Sequence, residues 1–282
     1  MIADWSLEEI ALRLAFGLFG SGLVAWLAYR KCSLSASGAW SAVPMGTAFV
    51  TLGGPFWFGT LLAFFISSSF WSKWKKRHRA KAEAEAHYVK SGRRDTGQVW
   101  ANGGLGLALC AAYALWPVPA LQLAFVGVMA SVNADTWATE IGALSRTAPR
   151  AVLTGRKVPP GTSGGVTALG SAAALAGAAF IGAAAALLAA ADPAPQPGAA
   201  LLVVVAAAAG LAGAFADSVL GATVQAMYRC RACGSETERA VHCGAPAEQV
   251  RGLRLMTNDL VNLCASAVAG AVAAGLGLWL TG

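Results

Sequence analysis

Charge is what this chain has least of. Asp, Glu, Lys and Arg make up 12% of its 282 residues, whereas 56% are hydrophobic. A soluble protein of this length needs a polar shell, and there are too few ionisable side chains here to build one. A basic start is also missing. The N-terminus carries Asp4, Glu8 and Glu9, which argues against a cleavable signal peptide. The net charge of +7 does not point to nucleic acid, because it is confined to short loops between apolar runs. Such a pattern first sets orientation in a membrane. The abundance of glycine, 33 residues, suits closely packed membrane helices better than a water-soluble helical protein.

A bilayer core takes roughly 20 apolar residues per helix. Eight stretches qualify: 10–29, 37–52, 55–71, 99–116, 118–141, 165–190, 199–224 and 255–280. The second is polar and Gly-rich, and a re-entrant piece there would move the N-terminus to the other side. Gly53-Gly54-Pro55, Pro117-Val118-Pro119 and Asp192-Pro193-Ala194-Pro195 read as turns between stretches. Lys and Arg are absent from these three turns. Twenty of the 21 basic residues fall in the alternate loops, nine of them within 72–98, and only Arg13 is left over. With eight spans every basic loop lies on one side. By the positive-inside rule that side is the cytoplasm, and both termini are outside, in a bacterial plasma membrane. The fold expected is therefore an all-α polytopic bundle forming one domain over 1–282. It carries a basic cytoplasmic loop at 72–98 and a second cytoplasmic loop at 227–254. Trp57, Trp71, Trp100 and Trp116, near span ends, fit the interfacial aromatic belt.

Polar groups at membrane depth are costly and need a reason. Asp135 and Glu140 end the fifth span, Asp217 lies late in the seventh, and Asp259 opens the eighth. All four fall at the cytoplasmic ends of their helices by the topology above, together with Asn133, Asn258 and Asn262. The fourth span opens with Arg94 and Asn102. Carboxylates with amide and hydroxyl oxygens are hard ligands suited to Mg²⁺, which completes its shell with water and substrate phosphates. A single Asp could equally pair with an Arg or cap a helix; four on one side argue for a site.

The segment 156–165 reads Arg-Lys-Val-Pro-Pro-Gly-Thr-Ser-Gly-Gly ahead of a long helix. Gly161, Gly164 and Gly165 permit tight turns close to a ligand. Thr162 or Ser163 is expected to cap the helix, and Arg156 and Lys157 to add charge for a phosphate. It is no Walker loop, because neither Lys-Ser nor Lys-Thr follows the last glycine. Cys230 and Cys233 form a C-x₂-C pair followed by adjacent His242 and Cys243. Four such ligands in a short cytoplasmic loop suggest structural zinc, though the adjacency of His242 and Cys243 is awkward for one tetrahedral ion. Cys32, Cys110 and Cys264 stand alone and read as packing residues. The run 73–94 reads as a topology anchor that could form a short amphipathic helix on anionic lipid headgroups.

Five ordered blocks carry a family resemblance. They are Arg94-Asp95-x-Gly97-Gln98-x-x-Ala101-Asn102-Gly103-Gly104, Asp135-Thr136-Trp137-Ala138-x-Glu140-Ile141-Gly142, Pro159-Pro160-Gly161-Thr162-x-Gly164-Gly165-Val166-Thr167, Asp217-Ser218-x-Leu220-Gly221-Ala222-Thr223-x-Gln225 and Asn258-Asp259-x-Val261-Asn262. Together they resemble the integral-membrane family once catalogued as domain of unknown function ninety-two, which includes the phytyl-phosphate kinase of photosynthetic organisms and a human transmembrane relative. The resemblance implies phosphoryl transfer from a nucleoside triphosphate, CTP in the first place, to a phytyl or polyprenyl monophosphate. Asp135, Glu140, Asp217 and Asp259 are then expected to hold Mg²⁺ as the catalytic acids. The phosphates are expected to meet Arg156, Lys157 and the loop 161–165, with Arg94, Asn102, Asn133, Asn258 and Asn262 completing the cavity. Partners are the bilayer, the lipid monophosphate and the nucleotide, with no nucleic acid. Two competing readings are a transporter or flippase of an anionic lipid or solute, and a lipid cytidylyltransferase.

Overall fold

The computed structural model describes residues 5–74, 92–192 and 196–281. Most of the basic run at 73–94, including the expected amphipathic helix, and the Pro193-Ala194-Pro195 turn lie outside the described residues.

Helix α1 (Leu7–Arg30) starts at a capping box, in which Ser6 Oγ accepts from the Glu9 N–H and the Glu9 carboxylate accepts from the Ser6 N–H. Helix α2 (Ala36–Lys73) has 38 residues, but Gly54 interrupts it with φ +71° and ψ −158°. A straight helix of that length would separate its ends by roughly 57 Å. Instead Lys73 Nζ, at the far end, donates to Ser33 Oγ at 2.5 Å, just before the near end. The chain therefore reverses at Gly54, where only glycine takes the positive φ at no cost and Pro55 starts the second arm. The arms are the second and third expected spans. The weak second stretch runs as a full arm, its polar and small residues packed against neighbours.

Helices α3 (Thr96–Leu115), α4 (Pro119–Gly142), α5 (Ala168–Ala190), α6 (Ala199–Thr223) and α7 (Asn258–Thr281) complete the bundle. By length and composition α1, α2, α5, α6 and α7 are apolar enough to cross a membrane. Counting the two arms of α2, eight helical segments are described. The sixth begins at Ala168 and not at 165, because Gly165 and Val166 form a strand.

Helix α4 is the axis of the bundle. It packs against α2, α3, α5, α6 and α7, and every residue from 122 to 134 is buried. Close approach depends on small residues, since packing is the main force between helices in lipid. A Cβ at Gly127 would lie 2.4 Å from Ala273 Cβ on α7 and 2.8 Å from the Ala269 carbonyl oxygen. Gly127→Val is expected to destabilise the bundle by about 1–3 kcal/mol through overpacking. A drop of several degrees in the melting temperature of the detergent-solubilised protein would register it; an unchanged melting curve would contradict the packing.

Away from the polar end, Phe49, Phe56, Trp57, Tyr113 and Phe125 cluster, with the Trp57 and Phe125 rings 4.4 Å apart. Trp57 is 1% exposed, so it belongs to this core and not to an interfacial belt. Trp100 and Trp116 are exposed, as a belt requires. The outer face of α1, with Phe16, Phe19 and Trp26 exposed, is apolar surface of the kind lipid covers.

The connections at the polar end contain short strands. Between α4 and α5, β1 (Arg150–Ala151) pairs antiparallel with β2 (Gly165–Val166). Between α6 and α7, β3 (Met227–Arg229), β4 (Glu236–Thr237) and β7 (Glu248–Arg251) form a sheet ordered β4-β3-β7. β5 (Val241–His242) and β6 (Ala245–Pro246) form a hairpin beside it. The segment read as a loop is thus a small β-ribbon.

Candidate active site at one end of the bundle

A cavity of about 840 Å³ opens where α4 and α6 end and α3 and α7 begin. Asp135, Glu140, Asp217 and Asp259 all line it, from three helices far apart in sequence. Arg94, Asn102, Thr162, Ser163, Gly164, Gly165, Asn258 and Asn262 line it as well. Gly161 lines an adjoining cavity of about 280 Å³, whose wall shares Asp135, Thr162 and Gly165 with the first.

Each wall has a local cause. Helix α3 starts at a capping box in which Asp95 accepts from the Gln98 N–H and the Gln98 side chain accepts from the Asp95 N–H. This fixes Arg94 just outside the helix, where its N–H donates to Ser33 O at 3.0 Å. The Arg94 guanidinium donates to Ser69 Oγ (2.9 Å) and Ser68 Oγ (3.0 Å) on the second arm of α2, over the rings of Phe64 and Phe65. Burial pushes it down to about 10, against the attraction of the Glu140 carboxylate, so it remains a cation at neutral pH. On α4, Asp135, Thr136, Thr139, Glu140 and Ala143 share the cavity face at helical spacing.

The glycine loop turns through Gly161 and Gly164, both at φ +81°. It lies directly on α6: a Cβ at Gly164 would come within 2.5 Å of Ala222 Cβ and 2.8 Å of the Ser218 carbonyl oxygen. Ser163 Oγ donates to Gln225 Oε1 (3.0 Å), and Gln225 Nε2 donates to Glu238 Oε1 (2.8 Å). One hydrogen-bonded chain therefore joins the glycine loop, the end of α6 and the β-ribbon. The ribbon's base is sealed to the same point by Leu253 N–H to Val224 O and Ala226 N–H to Met256 O, each 2.9 Å.

Several expectations are corrected. Asn133 does not line the cavity. It is fully buried one turn further in, where it accepts from Ser67 Oγ (2.8 Å) and donates to the Gly177 carbonyl (2.8 Å), and so joins α2, α4 and α5. Arg156 and Lys157 are exposed, folded back on Ala151 and Arg150 in a tight hairpin, and are absent from both cavity walls. Among the described residues, the cations that do line these cavities are Arg94 and Arg239 in the larger and Arg146 in the smaller. Neither Thr162 nor Ser163 caps α5. The cap is Thr167, whose Oγ1 accepts from the Gly170 N–H at 2.9 Å. The glycine loop is therefore one strand removed from that helix N-terminus. The helix starts that do face the cavity are those of α3, with Arg94 and Gln98, and of α7, with Thr257, Asn258 and Asp259 on the wall.

Glu238 was not among the residues expected in the site, yet it lines the cavity from its place just after β4. It stands close enough to Asp135 and Asp217 to repel both carboxylates, and these two repel each other. Its only sequence signal is its place inside the Cys/His segment that links the helices bearing Asp217 and Asp259.

The chain belongs to the integral membrane protein DUF92 family. That family matches residues 19–270, which spans all five motif blocks and every wall of the cavity. Among family relatives, Protein PGR of Arabidopsis thaliana is 31% identical over 271 residues, covering 89% of this chain and 91% of its own length. No solved structure matches.

Proposed function

We propose that this family member is a lipid-phosphate kinase. It transfers the γ-phosphoryl group of a nucleoside triphosphate, CTP in the first place, to a phytyl or polyprenyl monophosphate. The observation that carries the reading is one polar cavity in which acids from α4, α6 and α7 meet two arginines and a glycine loop at one end of an apolar bundle. The resemblance of the motif blocks to phytyl-phosphate kinases supplies the reaction class.

The donor set fits a hard divalent cation. Asp217 Oδ2 and Asn102 Oδ1 are buried oxygens on the cavity wall with no hydrogen-bond partner, and Asp135, Asp217 and Glu238 crowd negative charge around the same space. Mutual repulsion of this kind is relieved by a cation. Asp135, Asp217 and Asp259 would hold Mg²⁺, which when bound neutralises phosphate charge and orients the donor's terminal phosphates. The remaining residues bind and position. Arg94 uses two N–H groups on Ser68 and Ser69 and has others to offer the lipid phosphate. The α7 N-terminus and Arg239 face the nucleotide phosphates. An oxygen of the lipid phosphate then attacks the γ-phosphorus, the β–γ bridge bond breaks, and the nucleoside diphosphate leaves.

An apolar crevice between α1, both arms of α2 and α3 supports a lipid acceptor. It is walled by Met45, Phe58, Leu61, Phe64 and Phe65, and it meets the polar cavity at Arg94, Gln98 and Asn102. The phosphate-proximal end of a prenyl chain seated there would deliver its phosphate to Arg94. Among the described residues, Arg94, Arg146 and Arg239 lie at the cavity end, which by the positive-inside rule would face the cytoplasm, where the nucleotide is.

The test is product analysis with the purified protein in nanodiscs, labelled CTP and a panel of prenyl monophosphates. Prenyl diphosphate with stoichiometric CDP supports the proposal. Release of pyrophosphate would indicate a cytidylyltransferase instead, and tracer flux without nucleotide turnover a transporter.

A further inference from the structure

We infer that Cys230, Cys233, His242 and Cys243 bind one zinc ion, and that this ion clamps the β-ribbon so that Glu238 and Arg239 are held against the cavity. The ligand atoms of these four residues all lie within 4.8 Å of one another. His242 Nδ1 is 3.5 Å from Cys233 Sγ and 3.3 Å from Cys243 Sγ. A tetrahedral ion with Zn–S near 2.3 Å and Zn–N near 2.0–2.1 Å places nitrogen and sulfur about 3.6 Å apart. These two nitrogen–sulfur distances are within a few tenths of an ångström of that geometry.

The backbone explains how neighbouring residues both reach the ion. Cys243 takes φ +53° and Gly244 follows at φ +75°, so the tight β5–β6 turn brings the Cys243 thiol back beside the His242 ring. The first pair sits on a matching turn. Gly234 N–H donates to Cys230 O (2.9 Å), Cys230 N–H donates to Ser235 O (2.9 Å), and Gly234 has φ +74°. Two such turns facing each other leave four ligands and no open position, which is a structural site and not a catalytic one. In keeping with this, none of the four lines the cavity.

The segment needs such a fastening. It has little core of its own: Met227, Cys230 and Thr237 are buried, while Val241, Val250 and Leu253 are exposed. Pieces this small rarely hold together without a metal or a disulfide. Between the two ligand pairs runs 238–241, and all four of those residues line the cavity. An ion joining Cys230 and Cys233 to His242 and Cys243 closes the loop that carries Glu238, whose carboxylate accepts from Gln225. The metal readout is independent of the kinase reading.

The experiment is metal analysis of the full chain, purified under reducing conditions and equilibrated with zinc, then dialysed against a weak chelator. About one zinc per chain is expected, falling well below half in Cys230→Ser and Cys243→Ser. If those variants do not fold, cobalt loading of the wild-type protein decides. Thiolate-to-cobalt charge-transfer and tetrahedral d–d bands support the site. Absence of bound metal and of these bands, or a Cys230–Cys233 disulfide in the reduced preparation, overturns it. The clamp is read separately by hydrogen exchange. Stripping the ion should raise exchange at 236–243 by at least about tenfold while α4 and α6 stay protected. Bound zinc whose removal leaves that segment unchanged would refute the clamping role.

Discussion

Asp135→Asn and Asp217→Asn proteins are expected to insert and fold normally, yet to lose about 10²–10³-fold or more in turnover of the lipid monophosphate. Asn keeps the size of Asp and removes its charge. Because Asp135, Asp217 and Glu238 repel one another, losing one carboxylate relieves strain in the metal-free protein. The melting temperature without Mg²⁺ should therefore hold or rise. The gain in melting temperature on adding Mg²⁺ should shrink, since ligand stabilisation grows with the logarithm of the ligand concentration over its dissociation constant from the folded state. Opposite signs in these two readouts separate loss of a metal ligand from general damage. Wild-type turnover by a monodisperse Asp135→Asn protein would show that these acids do not serve the reaction.

Arg94 should give the second largest effect. Arg94→Ala removes a desolvated cation that two serine hydroxyls hold over Phe64 and Phe65, opposite Glu140. A loss of about 10²-fold or more in kcat/KM is expected, with a marked rise in KM for the lipid monophosphate. Arg94→Lys should recover only part of it. A single ammonium cannot bond Ser68 and Ser69 and also present a fork to phosphate. A double-mutant cycle with Glu140→Gln should return a coupling energy of about 0.5–3 kcal/mol, as for residues that share an interaction. If Lys proves as good as Arg, or if KM for the lipid phosphate does not move in Arg94→Ala, then Arg94 does not grip the acceptor.

The bundle was legible because apolar runs, turn residues and the alternation of basic loops each constrain it independently. The α2 reversal rested on Gly53-Gly54-Pro55, which outweighed the poor hydropathy of the arm before it. The acids were legible because ionised groups at membrane depth are too costly to be incidental. Asn133 misled because an amide in a membrane helix can serve packing as well as chemistry, and here it bonds α2 and α5. Arg156 and Lys157 misled because closeness in sequence was read as closeness in space. The chain instead folds Arg156 and Lys157 back on Ala151 and Arg150, in a tight hairpin that leaves residues 153–157 exposed. Glu238 could not be placed from sequence at all. Its position depends on a sheet order, β4-β3-β7, that no local pattern encodes.

The enclosure of α4 bears on how the protein is made. Helix α4 is enclosed by five neighbours, and it is not among the helices apolar enough to cross a membrane by composition alone. Three of those neighbours, α5, α6 and α7, are synthesised after it. The faces of α4 that these three helices cover therefore stay uncovered until the later helices are made. A chain that stops before α7 would leave this helix exposed to lipid on the side that Ala269 and Ala273 normally cover. Quality control of nascent chains would have that unprotected face to recognise.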